Sequence, residues 1–298
     1  MPFAFDFSVP SVLPWCIFDV LMAMSTATLQ AATLHAPARV GIALPSISLW
    51  WREIVRFYRQ RSRVIGVVAS PLLFWLVIGS GFGTSFRSSG AGGQHYLNYF
   101  FPGALIMIVL FTAIFTMMSV IEDRKEGFLL SVLVAPVSRS VIVLGKVLGG
   151  ATLATLQGII FLVFAPALGI HFTLPSLVLT VAVIFLVAFS LTALGFLIAW
   201  PMDSTGGFHA VINLFLIPLW LLSGSMFPLS GASFWIRALM RINPLTYGTD
   251  ALRMLLYPGA LASNLPLSTN MFVLAVFALV MFSLCFLVAN RRTTKPAA

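Results

Sequence analysis

Two places in this 298-residue chain gather side chains whose types and spacing could do chemistry. In Glu122-Asp123-Arg124-Lys125-Glu126-Gly127 five of six residues are charged, and they run directly into the nine-residue apolar stretch Phe128 to Pro136. That stretch is far too short to cross a membrane. Charged flanks hold such a helix at the cytoplasmic surface and Pro136 stops it, so its apolar face must bury against a partner protein or back on its own bundle. Further on, Leu144-Gly145-Lys146 carries the Gly-Lys pair of a phosphate-binding loop. Such a loop needs a glycine five residues before the pair and a Ser or Thr after it, and Ser140 and Val147 stand there instead. No ATP site is legible, and the chain calls for no cofactor of its own. His35, His95, His171 and His209 are isolated, without His-Glu-x-x-His spacing, and Cys16 and Cys285 make neither a disulfide framework nor a cysteine-rich metal site. No catalytic residue and no metal site is expected.

The elements that position these groups follow from composition. Hydrophobic residues make up 60% of the chain, charged ones 8%, and the mean hydropathy is +1.03. These values exclude a soluble enzyme and require lipid as solvent. Runs free of Asp, Glu, Lys and Arg predict six transmembrane helices at about 64–83, 99–121, 147–170, 177–200, 208–227 and 269–289. The net charge of +9 then speaks of orientation rather than nucleic acid: with both termini inside, 13 of the 17 Lys and Arg fall on cytoplasmic segments. The expected organisation is an N-terminal extension (1–45), an amphipathic interface helix (46–63), a six-span domain (64–290) and a cytoplasmic tail (291–298). The extension is read as cytoplasmic, because Asp19 makes Trp15–Leu34 a poor span. A true start at Met22 or Met24 would look the same.

In the interface helix, Arg52, Arg56, Arg59 and Arg63 recur at spacings of 4, 3 and 4, drawing one basic stripe. Trp50 and its apolar neighbours take the other side. This pattern predicts a helix on the membrane surface, its aromatics in the headgroup boundary and its arginines on anionic lipid phosphates; a plain juxtamembrane basic cluster is the alternative. The long outer segment 228–268 predicts two half-helices, Ser233–Ile242 ended by Asn243-Pro244 and Thr249–Tyr257 ended by Pro258-Gly259, which gate or merely cap what lies below. No charged residue lies deep in a predicted span, so no intramembrane proton or ion relay is expected and the energy must come from elsewhere. Asn213 and Trp220, seven apart, share a helix face and with Phe74, Phe111 and Phe115 are candidates for a pathway, or for ordinary packing and lipid contact.

These residues resemble a known family. Glu126-Gly127 followed by Phe128 to Pro136, Val137-Ser138-Arg139 and Leu144-Gly145-Lys146 is similar to the cytoplasmic signature of ABC transporter type 2 permeases, the group of the daunorubicin-exporter and nodulation-exporter permeases. Leu222-Ser223-Gly224-Ser225-Met226-Phe227-Pro228-Leu229, with Asn243-Pro244-Leu245-Thr246-Tyr247 and Asp250-Ala251-Leu252-Arg253, resembles the family's outer re-entrant region. The resemblance covers about 47–290 and implies a type V exporter fold in the bacterial inner membrane. It implies a permease that pairs with a second copy and docks on separate cytoplasmic ATPases, which carry ATP and magnesium. Phe128–Ala135 would be the coupling helix, with Glu122, Glu126, Gly127, Leu130, Leu133, Pro136 and Arg139 at the ATPase contact and the interface helix as a second contact. Gly224, Phe227, Pro228, Asn243, Pro244, Tyr247, Asp250 and Arg253 would form the outer gate. The apolar and aromatic pathway candidates, rather than the resemblance, suit an amphipathic drug or lipid-like cargo more than a small ion. A passive six-helix channel or lipid scramblase is the alternative.

Overall fold

A computed structural model of the chain describes residues 41–81, 96–135, 137–258 and 265–290, with backbone alone at 61–64, 67–68, 70 and 230. The N-terminal extension, its alternative starts, the C-terminal tail, Pro136 and the side chain of Arg63 lie outside the described residues. Those described are helical, without a strand: α1 (Ala43–Arg59), α2 (Arg61–Gly81), α3 (Tyr96–Thr116), α4 (Met118–Lys125), α5 (Phe128–Val134), α6 (Arg139–Leu162), α7 (Leu174–Ala199), α8 (Thr205–Trp220), α9 (Phe234–Ile242), α10 (Pro244–Leu256) and α11 (Leu267–Asn290).

Among the described residues five helices are long and apolar enough to cross a membrane: Tyr96–Lys125, Arg139–Leu162, Leu174–Ala199, Thr205–Ser225 and Leu267–Asn290. The first expected span corresponds to α2, whose described apolar part is Pro71–Gly81. The interface helix ends at Arg59, because Gln60 leaves helical geometry (φ −90°, ψ 74°), so Arg63 belongs to α2. The helix expected over 147–170 starts instead at Arg139 and stops at Leu162, followed by a tight turn at Ala165–Leu168 and left-handed Gly169. A lysine stops a hydrophobic helix only if it must reach water, and Lys146 finds carboxylates inside the protein. The half-helix expected from Thr249 begins at Pro244. There the Asn243 side chain accepts from the Leu245 amide (3.0 Å), and proline's fixed φ suits a first helical turn.

The core forms around α3. Phe100, Phe101, Leu105, Ile106, Ile108, Leu110 and Ile114 are fully buried, with α2, α6 and α7 packed against the helix. On the α2 side, Trp75 donates its indole N–H to the Leu97 carbonyl (3.2 Å) and meets Phe101 and Phe161 edge-on. Helix α1 lies on α6 through Gly145 and Gly149. A Cβ on Gly145 would fall 2.5 Å from the Leu49 Cβ, and one on Gly149 2.8 Å from the Glu53 Cβ. The G-x-x-x-G spacing is thus a seat for the surface helix, where larger side chains would hold the backbones apart.

Candidate functional site

One end of the bundle is held by charge. The buried face of α1 is Ser46, Leu49, Glu53 and Phe57, so the basic stripe has an acid beside it. Glu53 (4% exposed), Asp123 (0%) and Lys146 (1%) meet below it. The Lys146 ammonium pairs with the Glu53 carboxylate (2.6 Å) and with Asp123, and donates to the Ser119 hydroxyl (3.0 Å), which itself donates to Glu53 (2.7 Å). Arg52 closes a two-pronged pair on Asp123 at 3.0 and 2.8 Å. Arg56 reaches Asp123 (2.5 Å), Glu122 (2.9 Å) and Glu126 (3.3 Å). Burial works against the charge on Arg52, but hydrogen bonds and the charge of Asp123 outweigh it, holding the guanidinium above its ordinary value. So many charges leave water only because each has an opposite one and further hydrogen bonds.

For Arg52 and Arg56 this corrects the expectation of contact with lipid phosphates. Arg52 and Arg56 face carboxylates of this chain, while Arg59 is exposed. Trp50, expected in the headgroup boundary, donates its indole N–H to the Thr152 hydroxyl of α6 at 3.1 Å. The sequence reading missed Glu53, Asp123 and Lys146 as one cluster. Two signals could have found it: one acid inside a basic stripe and one lysine beside an otherwise apolar run.

Helix α5 leaves this cluster through left-handed Gly127 (φ 76°), which turns the chain sharply after α4. The Arg52 guanidinium lies 3.7 Å above the Phe128 ring, and Leu129 is buried, so the start of α5 is fastened. Its other face is open: Leu130 is 62% and Val134 86% exposed, with Leu133 exposed as well. Between the start of α1 and α5 runs an apolar cleft of about 410 Å³ lined by Leu44, Leu49, Val132, Ala135 and Val141. Arg139, expected at a partner contact, donates to the Ala289 carbonyl of α11 at 3.1 Å. Arg124 donates to the carbonyls of Trp200 and Met202 and pairs with Asp203, joining α4 to the α7–α8 turn.

At the other end of α3 the chain is latched. After Trp220 a wide turn, Leu221–Ser225, breaks the line of α8 at Gly224 (φ 78°), a conformation that glycine adopts without cost. The Gly224 carbonyl so presented accepts from Arg253 (2.5 Å) and from the Tyr99 hydroxyl (3.2 Å), while the Arg253 guanidinium stacks 4.2 Å from the Tyr99 ring. Asp250 stands 3.7 Å from Arg253. Burial nevertheless pushes the Asp250 carboxyl above its usual range, outweighing the pull of an arginine already occupied by Gly224 and Tyr99. Asn243 donates to the Leu219 carbonyl (2.6 Å), and the Tyr247 hydroxyl donates to that of Arg241 (2.8 Å). Pro244 opens α10, and Phe227 and Pro228 sit half-buried in the preceding loop.

The pathway candidates separate. Trp220 is buried and donates to the Gly103 carbonyl at 2.8 Å, whereas Asn213 is exposed. Phe208, Ile212, Leu216 and Trp220 form the buried stripe of α8. Residues four apart drift by about 40° per step, so the packed face reaches the direction of Asn213 only near Trp220. Phe74 meets the Trp220 ring edge-on at 6.4 Å and is otherwise exposed. Phe111 and Phe115 stack at 5.6 Å, half-buried, and Phe115 lies 5.2 Å from the His209 ring. Among the described residues their ring contacts with one another fall into two pairs, Phe74 with Trp220 and Phe111 with Phe115, that are not joined. Nor does any group of three or more His, Cys, Asp or Glu come together there as metal ligands would.

Comparison with known proteins places this arrangement. The profile of the family described as ABC-2 type transporter matches residues 46–257, from α1 to the end of α10. The chain is 28% identical to the inner membrane transport permease YadH of Escherichia coli, over 82% of this chain and 94% of that protein. It is 27% identical to nodulation protein J of Rhizobium leguminosarum bv. trifolii, over 72% and 81% of the two chains. It is 24% identical to the daunorubicin resistance ABC transporter permease protein DrrB1 of Streptomyces coeruleorubidus, over 81% and 86%.

Proposed function

This chain belongs to the ABC-2 type transporter family, whose permeases are membrane components that work with a separate ATP-binding subunit, and from that premise we propose that it is the permease subunit of an ATP-driven exporter. Six spans cross the inner membrane with both termini in the cytoplasm, two copies make the translocating unit, and the cargo is amphipathic or lipid-like. ATP and magnesium reside on the partner.

The observation that carries this reading is α5. A seven-residue helix fastened at its start by Phe128 and Leu129 leaves Leu130, Leu133 and Val134 uncovered beside an apolar cleft. An apolar face held open by charge is a docking surface, and the ATPase supplies the matching groove. Closure of the ATPases on ATP pushes α5. Because Asp123, Arg52, Arg56 and Lys146 bind α4, α1 and α6 into one block, the push moves those elements together and is felt at the latch on the far end of α3. Leu130→Arg or Leu133→Arg should abolish co-purification with the cognate ATPase or uncouple ATP hydrolysis from transport, leaving the permease folded. Substrate movement by the purified chain without any ATPase would overturn the reading.

A further inference from the structure

The latched end holds a cavity of about 570 Å³ lined by Leu229, Arg237, Arg241, Tyr247, Asp250 and Leu265, a size that suits a small ligand or headgroup. Its two arginines, four apart on α9, stand side by side on that helix. The hydroxyl hydrogens nearby are already used, Tyr247 on the Arg241 carbonyl (2.8 Å) and Thr246 on the Met240 carbonyl (2.6 Å). The acid in the wall, Asp250, stands 3.7 Å from Arg253, a third cation just outside the lining. Among the described residues Arg241 has no carboxylate partner. The lining is therefore cationic: Arg237 already gives one Nη to the Ala232 carbonyl (2.9 Å), and Arg241 is the guanidinium that the cavity offers as donor.

On α9, Phe234 beside Arg241 and Trp235, Leu239 and Ile242 on the side away from the arginines are exposed. An aromatic and aliphatic face beside arginines is the pattern of a helix lying in a membrane interface. In the chain α9 follows α8 and precedes α10 and α11, and α8 and α11 both belong to segments of membrane-crossing length, so α9 falls in a connection between span-length helices, where headgroups lie. Guanidinium forks match phosphate oxygens in pairs. We propose that the cavity binds the phosphate of an anionic phospholipid, with Arg237 and Arg241 holding the phosphate and the Phe234–Trp235 side of α9 lying along the acyl chains.

The test is native mass spectrometry of the purified full chain titrated with phosphatidylglycerol, with phosphatidylcholine as the zwitterionic comparison. Phosphatidylglycerol should bind more tightly, and Arg237→Gln with Arg241→Gln should weaken it by about tenfold or more, the scale of a lost charge-assisted pair. Arg241→Lys should restore part of the affinity of Arg241→Gln, since the charge returns without the fork. Should the double variant lose its thermal transition, Arg241→Gln alone decides, because this exposed residue has no described ion pair to break. Equal affinity for the two lipids, or unchanged affinity in Arg241→Gln, would overturn the proposal. So would displacement of the lipid by glycerol phosphate at equal molar potency, which would mark a free-anion site without a role for the chains. Binding is read without ATPase or nucleotide, so its failure and a failure of the exporter reading are separate results.

Discussion

Arg52 and Asp123, 71 residues apart in the chain, meet through two parallel hydrogen bonds, Nη1 to Oδ2 at 3.0 Å and Nη2 to Oδ1 at 2.8 Å. The same carboxylate takes Arg56 and Lys146, so one buried acid joins three helices. Its neighbour Phe128 lies under the Arg52 guanidinium, which sets the exposed apolar face of α5 directly on this joint.

Removing Lys146 should be costly in a specific way. Lys146→Met leaves Glu53 buried without its closest counter-ion, and breaking such a pair costs about 3–5 kcal/mol. Thermal unfolding in detergent should show a large fall in Tm, and adding Glu53→Gln to Lys146→Met should recover part of it. If the double variant is less stable than wild type by the sum of the two single effects, the two side chains do not share an interaction.

Arg52→Lys keeps the charge yet should not be neutral. A lysine cannot make the two-pronged pair with Asp123 or stack flat on Phe128, so about 1–2 kcal/mol of stability should go, by comparison with charged hydrogen bonds elsewhere. ATP hydrolysis by the assembled complex should lose its dependence on substrate before assembly itself is lost. Wild-type coupling in Arg52→Lys would show that charge alone suffices.

Asp250 predicts a pH dependence of definite sign. Its folded carboxyl lies above the ordinary 3.8 because burial disfavours the charge, so the native state holds its proton to higher pH than the unfolded chain does. The resulting stabilisation is complete below 3.8 and is lost as pH rises through the raised value. Arg237, Arg241 and Arg253 are the cationic side chains around it. The stability of wild type minus that of Asp250→Asn, followed by thermal unfolding across this range, should therefore fall with rising pH. A difference that rises would mean that Arg253 dominates the carboxyl instead.

Much of the framework was readable without coordinates. Apolar runs located helices wherever an uncharged stretch exceeded what a soluble core uses, and Asn243-Pro244 marked the end of α9 by local backbone chemistry. Shortness and apolarity singled out Phe128–Val134 as a helix that needed a surface. Where local rules failed, a distant partner had changed the cost of a residue. Hydropathy began α6 after Lys146, because an unpaired lysine belongs in water; the structure begins it at Arg139, because Glu53 and Asp123 remove that need.

By itself, then, the sequence determined the solvent, the helical class and the places where the chain must turn, since these depend on each residue and its near neighbours. Tertiary structure alone decided which charges meet, and why Trp220 is packed while Asn213 on the same face is not. It also decided that Arg52 and Arg56, in a stripe suited to lipid, would instead close on Asp123 and Glu122. Periodicity tells which side of a helix a residue occupies. Which neighbour lies there, 23 to 93 residues away for the contacts between helices in this cluster, is settled only when the helices pack and each buried charge finds its opposite.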